Sequence, residues 1–327
     1  MINFRYIRTT ALKTALGLIN KEKQSTFIAG GTNLVDLMKK GVTTPEKLID
    51  ISNLPLKEIQ LNNNVLQIGA LTSNSAVAEN AVVKAKFPLL TMAINAGASA
   101  QLRNMATVGG NMMQRTRCPY FYDITMPCNK RQPNSGCAAI GGFNRMHAIF
   151  GTSETCIAVH PSDMCVGLAA LDAKVRIAGA KGERTINFTD FHRLPGDTPE
   201  KDNHLQKGEL ILGIEIPSNN FNINFHYLKI RDRSSYAFAL VSVAAALDIK
   251  GGIITEVRLA MGGVAHKPWR LIQAESFLKG KAATKANFEQ AAKMEMNTAK
   301  SFGENDFKLK MVPNAIIEAL TLAKDKA

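Results

Sequence analysis

The sequence predicts an α+β fold in two parts with a break near residue 218, and three observations point to it. Residues 5–51 carry a strand–helix–strand pattern interrupted by Gly30-Gly31-Thr32. The run Glu209 to Pro217 reads as a strand with a proline stop, and the polar Ser218-Asn219-Asn220 behind it reads as a linker. Phe225 to Lys229, Ala239 to Ile249 and Ile253 to Met261 then alternate as a three-stranded antiparallel meander, with helices behind it.

In order along the chain, a short strand near residue 5 precedes Thr10 to Ile19, which is apolar at helical spacing. Thr26-Phe27-Ile28-Ala29 reads as a buried strand. Leu34, Leu37 and Met38 share one face of a second helix, and Lys47 to Ile51 is another strand. Val65 to Ile68 reads as a strand turning at Gly69-Ala70-Leu71-Thr72, followed by helices over Ser75 to Glu79 and Pro88 to Gly97. A glycine-rich turn at 107–115 introduces a cysteine loop. Strands resume at Ile157 to His160, and Met164 to Leu171 is apolar enough for a helix or a buried strand. Lys174 to Ile177 and Arg184 to Ile186 alternate as a hairpin, and the closing helices span 273–280, 287–301 and 313–325.

The 327 residues are 46% hydrophobic and 20% charged, ordinary for a globular protein able to bury a core. No apolar run approaches the ~20 residues of a membrane helix, so no membrane insertion is expected. Met1 to Arg8 reads as a mature start rather than a signal peptide. The formal charge of 40 − 27 = +13 raises the question of nucleic acid. Its basic residues are scattered, with small clusters at Lys21-Glu22-Lys23, Lys39-Lys40, Lys130-Arg131 and Arg231 to Arg233, and no aromatic-rich basic motif accompanies them. A solvated cationic face, or one that docks an acidic partner or a polyanionic cofactor, fits better than nucleic acid.

Five cysteines cannot form a complete set of disulfides. Cys118, Cys128 and Cys137 share one loop bounded by prolines and glycines, and Cys156 and Cys165 follow. On the residues alone a disulfide, a zinc ion and an iron–sulfur cluster all remain candidates; the absence of a signal peptide shifts weight towards metal. The gaps are longer than the short Cys-x2–4-Cys knuckles of structural zinc sites. The six histidines are dispersed and suggest neither a catalytic triad nor a metal pair; His147 and His160 read as structural.

Two glycine segments carry the remaining chemistry. Ala29-Gly30-Gly31-Thr32-Asn33-Leu34 sits between a strand and a helix, where glycines let successive N–H groups face an anion and the helix adds its positive end. Thr107-Val108-Gly109-Gly110-Asn111 repeats that chemistry, as a diphosphate clamped between two lobes would require. Neither is a Gly-x-Gly-x-x-Gly fingerprint or a P-loop.

With His160-Pro161-Ser162-Asp163, Lys229 and Arg233, these segments match one family in order and spacing. The chain resembles the FAD-binding medium subunit of molybdenum hydroxylases such as xanthine dehydrogenase and carbon monoxide dehydrogenase, and within it the periplasmic-type aldehyde oxidoreductase branch. The resemblance implies a two-lobed FAD-binding domain over 1–218, with lobes of about 1–56 and 57–218 and an iron–sulfur loop at 115–157, and a C-terminal domain over 219–327. It implies that Ala29, Gly30, Gly31, Thr32, Asn33, Leu34, Thr107, Gly109, Gly110 and Asn111 hold the FAD pyrophosphate and ribityl chain. It also implies that Asp163 bonds the ribityl or adenosine part and that Lys229 approaches the isoalloxazine, with Tyr236 a neighbour of the ring. By the same resemblance Cys118, Cys128, Cys137 and Cys156 ligate a 4Fe–4S cluster, and Cys165 is a spare buried thiol. The implied partners are a large molybdenum-cofactor subunit and a small 2Fe–2S subunit, in the cytoplasm or, by export with a signal-bearing partner, the periplasm. A stand-alone flavin oxidoreductase of the same fold and a zinc-stabilised nucleic-acid-binding module are the alternatives.

Overall fold

The computed structural model describes residues 1–21 and 24–326, so Glu22 and Lys23 of the first basic cluster lie outside the described residues. Strand β1 (Arg5–Arg8), helix α1 (Leu12–Lys21), β2 (Ser25–Ile28), α2 (Leu34–Lys39) and β3 (Lys47–Asp50) form the first unit. Its sheet is parallel in the order β1-β3-β2, and every residue of the central strand is buried. α1 lays Ala15 and Ile19 against Ile49, Ile51 and Leu54. A parallel pair needs a crossover, and the glycine segment with α2 supplies the one between β2 and β3.

Next come β4 (Ile59–Asn62), β5 (Val65–Gly69), α3 (Asn74–Glu79), α4 (Ala81–Lys86), α5 (Pro88–Ala96), α6 (Ala100–Met105) and α7 (Val108–Met112). They lead to α8 (Pro119–Tyr122) in the cysteine loop, then α9 (Asp163–Ala170), β6 (Lys174–Gly179), β7 (Gly182–Asn187), α10 (Phe188–Phe191) and β8 (Leu210–Pro217). The five strands form an antiparallel sheet in the order β4-β5-β8-β6-β7. The last part holds β9 (Asn224–Ile230), β10 (Val241–Lys250), β11 (Ile253–Gly262), β12 (Trp269–Arg270), α11 (Ile272–Leu278), α12 (Lys285–Glu295) with a short 3-10 turn, and α13 (Phe307–Lys324). One core runs across residue 218, packing Leu89, Leu90 and Val166 with Phe225, Tyr227 and Ala244.

Four expectations need correction. The C-terminal sheet has four strands, not three, because Trp269 and Arg270 pair with Met261 and Ala260; two residues are too few to show alternation. Ile157 to His160 is not a strand. Its Ile157 and Ala158 are buried, but its backbone makes separate bonds, Ala148 N–H to the Ile157 carbonyl and His160 N–H to that of Ala265, instead of a ladder. The segment Val108 to Met112 is a helix rather than a turn, because Thr107 caps it by accepting the Gly110 N–H at 3.2 Å. The last helix starts at Phe307 and carries Pro313 inside it, whereas the sequence reading took the proline as its first residue.

Candidate functional site

The first glycine segment leaves β2 and turns into α2. Gly31 has φ +71, a conformation that L side chains rarely adopt, and a Cβ on Gly30 would lie 1.9 Å from the carbonyl oxygen of Met105. Among the described residues, the backbone N–H groups of Gly30 to Leu34 have no protein partner. Asn33 accepts the Arg115 N–H on Oδ1 at 3.0 Å, and its Nδ2 is buried without a partner. A row of unpaired donors at a helix start, with an orphaned amide beside it, suits an anion.

The second segment works differently. The N–H groups of Val108 and Gly109 bond the carbonyls of Thr72 and Ala70, and those of Gly110 and Asn111 bond Thr107. Its donors are therefore spent inside the protein. Gly109 fits because a Cβ there would come 3.1 Å from the Ala70 Cβ, and Gly110 turns its bare Cα towards open space. The chain thus supplies donors from one segment and a smooth wall from the other.

Two cavities of about 340 and 590 Å³ meet between these segments and share Thr32, Asn33, Ala106 and Gly110. The smaller runs into apolar side chains that include Phe27, Leu37 and Ile211. The larger holds Arg103, Arg117, Asp163, Lys229, Arg233 and Tyr236. Asp163 and Lys229 meet there directly: Lys229 Nζ donates to Asp163 Oδ2 at 2.8 Å and to the Ala96 carbonyl at 2.9 Å, with both side chains buried. Tyr227 donates to Asp163 Oδ1 at 2.8 Å, and burial followed by the Asp163 charge pushes its phenol well above 10. Removing the cation from such a pair leaves a buried lone charge. Lys229→Ala is therefore expected to destabilise the chain by about 3–5 kcal/mol in urea unfolding.

Cys118, Cys128, Cys137 and Cys156 line one small enclosed cavity, and all are free thiols. Cys128 and Cys137 face each other across an isolated antiparallel bridge. Burial pushes the Cys118 thiol up to about 12, whereas a hydrogen bond from Cys156 brings Cys137 down to about 6 and raises Cys156 in turn. Beside the cavity, burial opposes the charge of Asp202, but Lys130 Nζ at 2.5 Å and Arg115 Nε at 2.6 Å hold it down to about 2. A further cavity of about 160 Å³ borders Cys118 and His147 as well as Ser162 and Asp163, so it adjoins both the cysteine pocket and the large cleft.

Residues 2–219 match the family described as FAD binding domain in molybdopterin dehydrogenase, and residues 226–321 match the CO dehydrogenase flavoprotein C-terminal domain. The chain belongs to this family of FAD-binding medium subunits. It is 44% identical to the aldehyde oxidoreductase FAD-binding subunit PaoB of Escherichia coli, over 99% of both chains. It is 30% identical to the glyceraldehyde dehydrogenase medium chain of Sulfolobus acidocaldarius, over 85% of this chain and 82% of that one. The solved carbon monoxide dehydrogenase of Hydrogenophaga pseudoflava shares the fold at TM-score 0.79 and 24% identity, over 100% of both chains. The chain is thus an oxidoreductase subunit that binds FAD.

In this medium subunit the residues singled out from the sequence fall into two groups. Ala29 to Leu34, Thr107, Gly109 and Gly110 line the cleft, with Asn111, Asp163, Lys229 and Tyr236 towards its larger end. Asp163 and Lys229, expected on different parts of the cofactor, are joined to each other. The four cysteines come together and Cys165 lies apart, wholly buried in α9. Sequence reading took His147 as structural and did not single out His266; their Nε2 atoms lie 3.1 Å from Cys118 Sγ and 3.2 Å from Cys156 Sγ. Among the described residues no helix is long and apolar enough to cross a membrane.

Proposed function

We propose that this chain is the electron-transfer flavin subunit of a molybdenum-dependent aldehyde oxidoreductase, assembled with a large molybdenum-cofactor subunit and a small 2Fe–2S subunit. The observation that carries the reading is the cleft itself, with the unpaired N–H groups of Gly30 to Leu34 facing a glycine wall. Bound there, FAD exchanges electrons with partner centres and with an external acceptor. In this reading Ala29 to Leu34 hold the diphosphate, while Thr107, Gly109, Gly110 and Asn111 shape the space beside it. The Asp163–Lys229 pair fixes the larger end of the cleft and keeps a cation at hand for the reduced ring. Aldehyde as the substrate class follows the 44% identity to an aldehyde oxidoreductase subunit. The domain division at residue 218 and the lobes at about 1–56 and 57–218 belong to the same proposal.

We further propose that Cys118, Cys128, Cys137 and Cys156 hold a 4Fe–4S cluster. Four thiolates on one cavity are the usual ligand set for such a cluster. A zinc ion would draw its sulfurs to about 3.8 Å from one another. Among the described residues, no three of these sulfurs lie within 4.8 Å of each other. The cavity bordered by both Cys118 and Asp163 supports reading the cysteine pocket as an electron relay beside the cleft.

Co-expression with the neighbouring genes, followed by purification and absorption spectroscopy, tests the whole reading. The expected result is a complex of three kinds of chain, with flavin bands near roughly 375 and 450 nm over a broad iron–sulfur absorption. A chain that purifies alone and is fully active overturns the subunit assignment, and a zinc-containing protein without iron overturns the cluster.

A further inference from the structure

The two histidines at the cysteine pocket come from distant parts of the chain. His147 follows the cysteine loop itself, and His266 sits in the connection between β11 and β12. Both rings are buried, and in both Nδ1 is enclosed without a partner while Nε2 touches a cysteine sulfur. A neutral imidazole carries one N–H. With that hydrogen on Nδ1, each ring would bury a donor that has nothing to bond. With it on Nε2, the donor meets sulfur and only a lone pair goes unused, so the Nε2–H form is favoured.

Backbone contacts fix the main chain from which the rings project. The His147 carbonyl accepts Lys308 Nζ at 2.8 Å and Asn305 Nδ2 at 3.4 Å, and the His147 N–H donates to the Asn144 carbonyl. Lys308 is wholly buried and also bonds the Gly263 carbonyl at 2.7 Å. Just before His266, Val264 accepts the N–H groups of Ile149 and Phe150, and Ala265 accepts that of His160. The backbone at either histidine cannot shift without breaking several buried hydrogen bonds.

We infer that His147 and His266 are positioning residues that donate Nε2–H to the thiolates of Cys118 and Cys156 and so raise the reduction potential of the cluster proposed above. The inference rests on that cluster. Reduction adds an electron, part of whose charge resides on sulfur, so an N–H···S bond is stronger in the reduced state and favours it. A neutral imidazole does this without adding charge to the pocket.

The test is a redox titration of the complete complex followed by electron paramagnetic resonance. His147→Leu and His266→Leu are each expected to lower the equilibrium constant for reducing this cluster about tenfold, or about 59 mV for one electron. His147→Gln and His266→Gln keep an N–H donor and are expected to recover part of that loss. Iron and flavin contents should stay at wild-type levels. Leu variants that retain iron at an unchanged potential overturn the inference and leave the cluster standing. Unsubstituted protein without iron overturns the cluster reading and, with it, this one. If the variants fail to fold, pulsed resonance on unsubstituted protein with 15N-labelled histidine decides: coupling of ring nitrogen to the reduced cluster supports the inference, and its absence overturns it.

Discussion

Gly110→Leu is expected to empty the flavin site of a chain that still folds. An added Cβ meets only Thr107 Oγ1, at 3.0 Å, and the rest of the side chain projects into the space shared by the two cavities. Overfilling a fitted site costs about 1–3 kcal/mol, and each 1.4 kcal/mol weakens binding about tenfold. Flavin content after gel filtration should therefore fall to about a tenth of the wild-type level or less, with the melting transition of the apoprotein preserved. Gly30 provides the contrast. A Cβ there would lie 1.9 Å from the Met105 carbonyl oxygen and 2.8 Å from its carbon, so Gly30→Val should lose flavin and stability together. A Gly110→Leu chain that keeps a full complement of FAD would show that the cofactor lies elsewhere.

The second large effect concerns iron. Cys128→Ser and Cys156→Ser are each expected to bring iron down from about four atoms per chain to under about one, since a 4Fe–4S cluster is held by four thiolates. FAD should remain, because the cysteine pocket and the two cavities proposed for the flavin have no lining residue in common. Cys165→Ser is the internal control. That thiol is wholly buried in α9, inside the core and away from the pocket, so its replacement should leave iron unchanged. Iron assay and flavin absorbance on the same samples separate the two sites. Full iron in Cys128→Ser would remove that residue from the ligand set.

Much of the proposed flavin site is legible in the sequence because its chemistry is local. Gly30-Gly31-Thr32 between a strand and a helix reports a turn with donors to spare, and in the structure their N–H groups have no partner among the described residues. The second segment misleads for a tertiary reason. Nothing in Gly109-Gly110 reveals that Thr72 and Ala70 take up two of its donors or that Thr107 caps the helix. The joining of Asp163 to Lys229 spans 66 residues and depends on α5 packing against both β9 and α9. His147 and His266 lie 29 and 110 residues from the cysteines they touch, without a motif to link them. Ile157 to His160 looked like a strand because apolar side chains signal burial, and burial does not require a ladder.

The anchoring of the cysteine pocket by later parts of the chain sets an order of events during synthesis. All four cysteines of the pocket are made by residue 156, whereas His266, Asn305 and Lys308, which complete its surroundings, are made long afterwards. The first parallel sheet, with its glycine segment, can fold while translation continues. The pocket is walled only once residues 266–308 have been made, so its maturation follows the folding of the first sheet.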